Sequence, residues 1–242
     1  MKILFLGTGA ADYTGNEVPF RRNSSALTDD TILIDPNKYV LDALSEYNVD
    51  ISKIKYILNT HNHEDHYNEN TVNYLVSQGA TFINTEPNNQ ISLGEYRILP
   101  LKGNHTIPVC HFIIEKDDKR MFYGLDGAWL LYEEIQAIWT RGVDLAVFDA
   151  TVGFIDGDWR IFEHNNLNMV LEMKKSLKDS VKKYVISHMA YTLHTSHEEL
   201  EKESIWPAYG RRVRAYAACQ GNDRQGCSYR CQSPYNRFKW YW

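Results

Sequence analysis

The sequence predicts a layered α/β domain in which helices cover the outer faces of two sheets. Three observations predict it. Strand-like and helix-like runs alternate over residues 2–84 and again over 130–186, the pattern of sheets with helices laid against them. Between those halves, residues 91–125 hold short apolar runs separated by turn residues, which reads as an antiparallel meander. No linker-like or low-complexity stretch breaks residues 1–209, so they are expected to form one domain.

Each element has its own signal. Lys2–Leu6 is a short apolar run closed by Gly7-Thr8-Gly9, a buried strand followed by a tight turn. Thr31–Ile34 is a strand stopped by Asp35-Pro36, and Tyr39–Tyr47 carries Val40, Leu41 and Leu44 at helical spacing. Ile54–Leu58 is a strand that runs into a histidine-rich stretch. Glu69–Gln78 puts Val72, Leu75 and Val76 on one helical face, with Gly79 as its stop, and Thr81–Asn84 is extended. The meander strands are Ile91–Leu93, Tyr96–Leu101, His111–Glu115 and Met121–Tyr123, divided by Gly94, Gly103-Asn104 and Asp117-Asp118. A helix around Leu130–Trp139, a strand Leu145–Phe148, a helix Leu167–Leu177 and a strand Lys183–Ile186 complete the pattern.

Composition sets the outer limits. Hydrophobic residues at 43% and charged residues at 24% are ordinary globular values, which excludes wholesale disorder and fibrous repeats. No apolar run approaches the roughly 20 residues of a membrane span, and the run after Met1-Lys2 is too short for a secretory signal, so a cytoplasmic chain is expected. The net charge of −5 is unevenly divided. Residues 210–242 contain six Arg, one Lys and one Asp, which is +6 and leaves −11 on the rest. They also hold Cys219, Cys227 and Cys231 and no Leu or Ile, and the cysteine spacing lacks the paired C-x2-C of a zinc ribbon. This basic tail is set apart from the fold. It reads as a nucleic-acid-binding appendage, a zinc module completed by a histidine, or sequence that does not join the domain.

Chemistry is concentrated in His61-Asn62-His63-Glu64-Asp65-His66. Alternate residues of an extended chain point the same way, which pairs His61 with His63. A turn at Glu64 then aims Asp65 and His66 at a second point. Neutral imidazole and carboxylate are the usual ligands of zinc and related divalent ions; a solvated polar loop or a helix cap is the alternative. Gly7-Thr8-Gly9 does not complete a dinucleotide fingerprint, because Asp12 stands where the third glycine belongs, and neither a P-loop nor a Gly-x-Ser-x-Gly elbow is present. His111 reads as a structural residue at a strand start, and His194 and His197 as residues of a solvated loop.

His-x-His-x-Asp-His at a strand end resembles the signature of the metallo-β-lactamase superfamily of metallohydrolases, and the likeness extends over roughly residues 1–200. The resemblance implies a four-layer αβ/βα sandwich and a centre of two divalent ions, zinc or manganese or else iron. It implies His61, His63 and His105 as ligands of the first ion, Asp65, His66 and His188 on the second, and Asp126 as the bridging acid. It also supplies Asp35 and Asp149, strand-end acids able to accept a hydrogen bond from a ligand imidazole. The segment Glu163-His164-Asn165-Asn166-Leu167-Asn168 is similar to the His-Asn-x-Leu-Asn segment of the bacterial phosphodiesterase branch, which includes the accessory phosphodiesterase of the carbon–phosphorus lyase pathway. There the histidine faces the bound phosphate, so His164 is the candidate to steady developing charge or protonate the leaving oxygen, with Asp65 the other catalytic candidate. Two departures stand out. Residues 10–30 lack the cysteines that hold a structural zinc in that relative, and Gly127 follows Asp126 where Thr or Ser is common.

The reaction implied is hydrolysis of a small or cyclic phosphodiester by a metal-bridging hydroxide. Two divalent ions against Asp65, Asp126 and one hydroxide leave a residual charge of about +1, matched to a diester monoanion. Because the body is acidic, attraction to a small anionic ester must be local to the metals. Nucleic acid is not expected as the main substrate, since no basic arm is inserted within 1–209, and no membrane partner is expected. A β-lactamase would carry cysteine at Asp126, and a flavin-dependent diiron enzyme would need a fused domain. A glyoxalase-type thioesterase, an RNA-processing nuclease and a non-catalytic metal-binding module are the other readings, and a homodimer is compatible with all of them.

Overall fold

Strand alternation sorts the core into faces from the first element on. In β1 (Lys2–Gly7), Ile3 and Phe5 face one way and Leu4 and Leu6 the other, and every one of them is buried. A strand buried on both faces must have layers on both sides. The computed structural model describes residues 1–17 and 21–194, and beyond them the backbone of 213–215 and 239–241.

The first sheet contains β1, β2 (Ser25–Thr28), β3 (Ile32–Ile34), β4 (Tyr56–Leu58) and β5 (Thr81–Phe82) in that order, with Lys239–Tyr241 paired outside β1. The second runs β6 (Ile91–Leu93), β7 (Tyr96–Lys102), β8 (Cys110–Lys116), β9 (Lys119–Gly124), β10 (Val143–Asp149) and β11 (Val181–Ser187), with β12 (Val213–Ala215) outside β11; the Lys239–Tyr241 strand is β13. β6 to β9 form the antiparallel meander, whereas β9, β10 and β11 are parallel.

Three apolar clusters mark three interfaces between four layers. Ile3, Phe5, Ile32, Ile34 and Leu58 of the first sheet meet Phe112, Ile114, Met121, Tyr123, Leu145 and Val147 of the second. Leu4, Leu6, Leu27, Leu33 and Ile57 on the outer face of the first sheet pack on α1 (Val40–Glu46) and α2 (Glu69–Ser77) through Val40, Leu44 and Leu75. Ile113, Phe122, Ala146, Phe148 and Ile186 face α3 (Tyr132–Arg141) and α4 (Leu167–Leu177) through Ile138, Leu167, Val170, Met173 and Leu177. The result is the αβ/βα sandwich. Each fully buried Leu, Ile or Phe contributes roughly 1.5–3 kcal/mol, so the layering rests on these alternating side chains.

The sequence pattern misses β2, because Ser25–Thr28 is buried at all four positions and shows no period. Two strands are shorter than expected. Ile51–Lys53 is a 3-10 turn capped by Asp50, so pairing starts at Tyr56, and of Thr81–Asn84 only Thr81–Phe82 pairs. The boundary expected at residue 209, the three tail cysteines and His197 lie outside the described residues. Among the described residues no helix is long and apolar enough to cross a membrane.

Parallel strands end on the same edge of their sheet, and this collects the polar residues. Asp35 follows β3, His61 follows β4, Asp126 follows β9, Asp149 ends β10 and His188 follows β11. Gly7-Thr8-Gly9 laces the two sheets together at that edge: Met189 N donates to Thr8 O at 3.0 Å and Ala10 N to Met189 O at 3.1 Å. A Cβ on Gly7 would lie 2.1 Å from Asn23 O, so only glycine lets the chains approach this closely.

Candidate metal centre

Three of the residues at this edge adopt left-handed backbone, with φ of 60° at Asp35, 55° at Asp126 and 56° at His188. Such a conformation is unfavourable for non-glycine residues and recurs where side chains must be aimed. His61 and His63 leave β4 in extended chain. A turn then closes with His66 N donating to His63 O at 2.9 Å, and this sends Asp65 and His66 elsewhere.

The donors fall into two groups that share one acid. His61, His63, His105 and Asp126 offer ligand atoms within 4.8 Å of one another, and so do Asp65, His66, Asp126 and His188. All seven residues expected as ligands are thus brought together. A third group, Asp126, Asp149, His164 and His188, adjoins them.

Hydrogen bonds on the far side of each ring decide which nitrogen faces inward. His66 Nδ1 lies 2.9 Å from Asp35 Oδ2, an acceptor, so it carries the proton. His105 Nδ1 donates to the Glu163 carbonyl at 3.0 Å. The Thr151 hydroxyl has two acceptors for its one proton, His188 O at 2.8 Å and Asp149 Oδ1 at 2.9 Å, which leaves its oxygen to accept from His188 Nδ1 at 2.7 Å. The Thr60 hydroxyl likewise donates to Asp35 Oδ1 at 2.9 Å and accepts from His61 Nδ1 at 3.0 Å. Each of these rings therefore turns a bare Nε2 lone pair inward.

Those nitrogens converge on one another and on His63. His66 Nε2 and His188 Nε2 are 3.1 Å apart, His61 Nε2 and His63 Nδ1 2.9 Å, and His105 Nε2 and His63 Nδ1 3.3 Å. Asp126 Oδ1 is buried with no hydrogen-bond partner. Acceptors aimed at one another need a cation between them, and the donor set, imidazole with carboxylate, suits a divalent metal. The electrostatics agree. Burial opposes charge on His66, yet Asp126, Asp65 and Asp35 hold it well above the usual imidazole range. His188 is pushed up to about 10, again against burial, chiefly by Asp126. Burial would raise the Asp126 carboxyl, but His188 and His66 bring it well below its usual range. The second donor group thus favours positive charge, while burial pulls the His61 and His105 imidazoles of the first below their usual range; a divalent cation would answer the carboxylates without requiring protons on these rings.

His164 stands beside this centre. Its Nδ1 lies 2.8 Å from Asp149 Oδ2 and 3.7 Å from Asp126 Oδ1. Asp149 Oδ1 is occupied by Thr151 N at 2.8 Å and the Thr151 hydroxyl at 2.9 Å, so Asp149 serves the His164 ring and the residue that orients His188. Burial would lower the His164 pKa; the Asp149 charge and hydrogen bond outweigh it and raise the imidazole above its usual value.

Sequence reasoning missed Thr60, Thr151 and the Glu163 carbonyl, because a hydroxyl or carbonyl that orients a ring leaves no compositional trace. The only available signal was adjacency: Thr60 precedes His61 and Glu163 precedes His164. His194 corrects the expectation of a solvated loop. It is 8% exposed, its Nε2 donates to Ala150 O at 2.6 Å, and burial pushes its pKa down to about 4.

A family model described as anti-Pycsar protein Apyc1 matches residues 1–72. No curated protein matches the sequence. Among solved structures, the chain is similar to the metallo-β-lactamase fold protein YhfI from Bacillus subtilis, with a TM-score of 0.70 and 16% identity over 89% of this chain and 95% of that one. A diphosphatase of the PhnP family superimposes with a TM-score of 0.66 and 16% identity, over 93% of this chain and 98% of the other. Zinc-bound PqqB from Methylobacterium extorquens does so with a TM-score of 0.66 and 13% identity, over 89% and 97%. The chain has the metallo-β-lactamase fold.

Proposed function

We propose that this chain, built on the metallo-β-lactamase fold, is a dinuclear metal-dependent phosphodiesterase that hydrolyses a small or cyclic phosphodiester. The observation that carries the reading is the position of His164, held through Nδ1 by Asp149 and set 3.7 Å from the one carboxylate that both donor groups share. An imidazole oriented in this way has its other nitrogen free to exchange a proton next to the reacting group.

His61, His63, His105 and Asp126 would hold one ion, and Asp65, His66, His188 and Asp126 the other. When bound, two such ions, zinc or manganese with iron as the third choice, would draw charge from phosphoryl oxygens and acidify water. The protein's own part is proton management. Asp149 favours the protonated form of His164, from which His164 can give the Nε2 proton to the departing oxygen. Asp65, buried beside His188 Nε2 at 3.2 Å, is placed to take the proton that water gives up. His164 also lies just ahead of α4, whose N-cap is Asn166, and that helix end favours an anion nearby.

The diphosphatase neighbour supports a phosphoryl ester as substrate. The acidic body supports a small one, since a net −11 over residues 1–209 repels a polyanion and leaves attraction to the centre itself. Metal analysis of purified protein, followed by assays on bis-p-nitrophenyl phosphate, ribose cyclic phosphates, a thioester and a lactam, tests the reading. Two ions per chain and preferential cleavage of the diesters are expected. Less than one ion, with no diesterase activity after zinc or manganese is added, would sink it.

A further inference from the structure

His111 belongs to neither donor group, yet it touches the backbone on both sides of the bridging acid. Its Nε2 lies 3.0 Å from the Leu125 carbonyl, which can only accept, so that nitrogen carries a proton. Its Nδ1 lies 2.6 Å from Glu134 Oε1. Glu134 Oε2 in turn accepts from Leu131 N at 2.7 Å, at the start of α3. Both side chains are buried, His111 at 2% exposure and Glu134 at 0%. Burial lowers the His111 pKa, but the Glu134 charge and the hydrogen bonds outweigh it and raise the imidazole above its usual value.

A buried ion pair is weak evidence for stability, because well-packed apolar residues often do as well. What the ring fills is more informative. A Cβ on Gly103 would lie 2.7 Å from His111 Cε1, a Cβ on Gly127 also 2.7 Å from it, and a Cβ on Gly124 3.3 Å from Nδ1. Gly103 stands two residues before His105, and Gly127 directly follows Asp126. The two segments are laced together beside the ring: Ala128 N donates to Asn104 O at 3.0 Å, and Asn104 Nδ2 to Ala128 O at 2.9 Å. Two glycines, Gly103 and Gly127, make room for an imidazole at the crossing of the His105 loop and the Asp126 turn, while Gly124 chiefly clears the Phe122 ring, at 2.4 Å.

We propose that His111, clamped by Glu134, is a positioning residue of the metal centre: its ring wedges the His105 loop and the Asp126 turn at the separation that metal binding requires. The inference rests on the metal-centre reading above. His105 Nε2 and Asp126 Oδ2 stand 3.7 Å apart across the first donor group, and ligand distances tolerate only about 0.2 Å of error. A shift of the wedge therefore reaches both ligands. Gly127, unlike the Thr or Ser common in the resembling branch, is explained by the same ring.

The experiment measures zinc affinity by chelator competition and thermal unfolding of the metal-free protein, for wild type, His111→Phe, Glu134→Ala, Glu134→Gln and Gly127→Ala. Wild type is expected to bind zinc tightly. His111→Phe and Glu134→Ala should weaken zinc binding about 10–100-fold. Glu134→Gln should stay near wild type, because the amide keeps an acceptor for Leu131 N and a donor toward His111. Gly127→Ala removes no polar group but pushes on the ring, so it should weaken zinc binding as well, which decides the matter if His111→Phe does not fold. Wild-type zinc affinity in Gly127→Ala and in the folded His111 or Glu134 variants, with only the unfolding temperature lowered, would overturn the wedge and leave the metal centre standing. A wild-type protein that binds no zinc or manganese would overturn both.

Discussion

His66 and His188 are 122 residues apart in the chain and bring Nε2 to Nε2 at 3.1 Å. Neither ring is free to turn away. Asp35 holds His66 by Nδ1 at 2.9 Å, and Thr151 holds His188 by Nδ1 at 2.7 Å. Asp35 and His188 both occupy left-handed backbone. The donors are thus aimed by the scaffold, at the expense of local conformational energy, and this is the arrangement expected of a preorganised site.

Changing Asp35 to Asn should separate orientation from stability. Asp35 Oδ1 accepts from Thr60 N at 2.8 Å, and an amide oxygen can keep that bond. On the other side, an amide N–H would face His66 Nδ1 and force the ring into the tautomer that carries its proton on Nε2. Zinc affinity should then fall about 10–100-fold with little loss of stability. Asp35→Ala should also strand the buried Thr60 and His66 donors and cost about 3 kcal/mol or more. Chelator competition and urea unfolding of both variants check this; equal zinc affinity in Asp35→Asn and wild type would contradict it.

His164→Gln should lower kcat about 10²–10⁴-fold while leaving bound metal unchanged. If His164 protonates the leaving group, the loss should be larger for an alkyl leaving group than for a nitrophenolate, which departs without help. Asp149→Asn should move the alkaline limb. His164 is active when protonated, so activity holds below its pKa and declines above it. Removing the Asp149 charge that raises this pKa makes the decline begin at lower pH. A profile unmoved by Asp149→Asn would separate His164 from the rate-limiting proton transfer.

How much of this was legible in the sequence depended on how locally each feature is encoded. Four ligand candidates lie within His61–His66, and the strand-end acids announce themselves through turn residues such as Pro36 after Asp35. The alternation of Ile3 and Phe5 with Leu4 and Leu6 made the layering readable. β2 was not legible, because a strand buried at every position loses its period. Nor was the pairing of His111 with Glu134, which joins a strand to a helix 23 residues on. His194 looked solvated because its neighbours in sequence are polar; only the packing of the Ala150–Gly153 turn shows otherwise. The signal fails wherever a partner is chosen by tertiary approach rather than by spacing.

Gly7→Ala should damage the centre from a distance. Its Cβ would meet Asn23 O at 2.1 Å and Arg22 O at 2.8 Å, both backbone atoms that cannot swing aside. Gly9→Ala would meet the Tyr13 ring at 2.4 Å, a side chain, and backbone only at Arg22 O, 3.0 Å away. Overpacking of this kind costs about 1–3 kcal/mol, and Gly7→Ala should lie at or above the upper end, with Gly9→Ala milder. Because Thr8 O accepts from Met189 N, the turn after His188 should loosen as well. Urea unfolding ranks the two variants, and the reverse order would show that the Tyr13 ring is the stiffer obstacle.

His194 makes stability depend on pH in a predictable direction. Its pKa in the folded protein is depressed to about 4 by burial, against an unfolded value of 6.5. Above pH 6.5 the ring is neutral in both states and contributes nothing to the pH dependence. Below that pH the unfolded chain takes up a proton that the folded protein refuses, so stability falls as pH falls. The loss accumulates until the folded ring protonates near pH 4, and over that window it amounts to at most about 3 kcal/mol. His194→Gln keeps a donor toward Ala150 O but cannot titrate, so the difference in unfolding free energy between wild type and variant should shift progressively in the variant's favour from pH 6.5 toward pH 4.5. Taking the difference at each pH removes the acid release of metal, which is common to both proteins. A constant difference across that range would show that the ring is solvated and titrates normally.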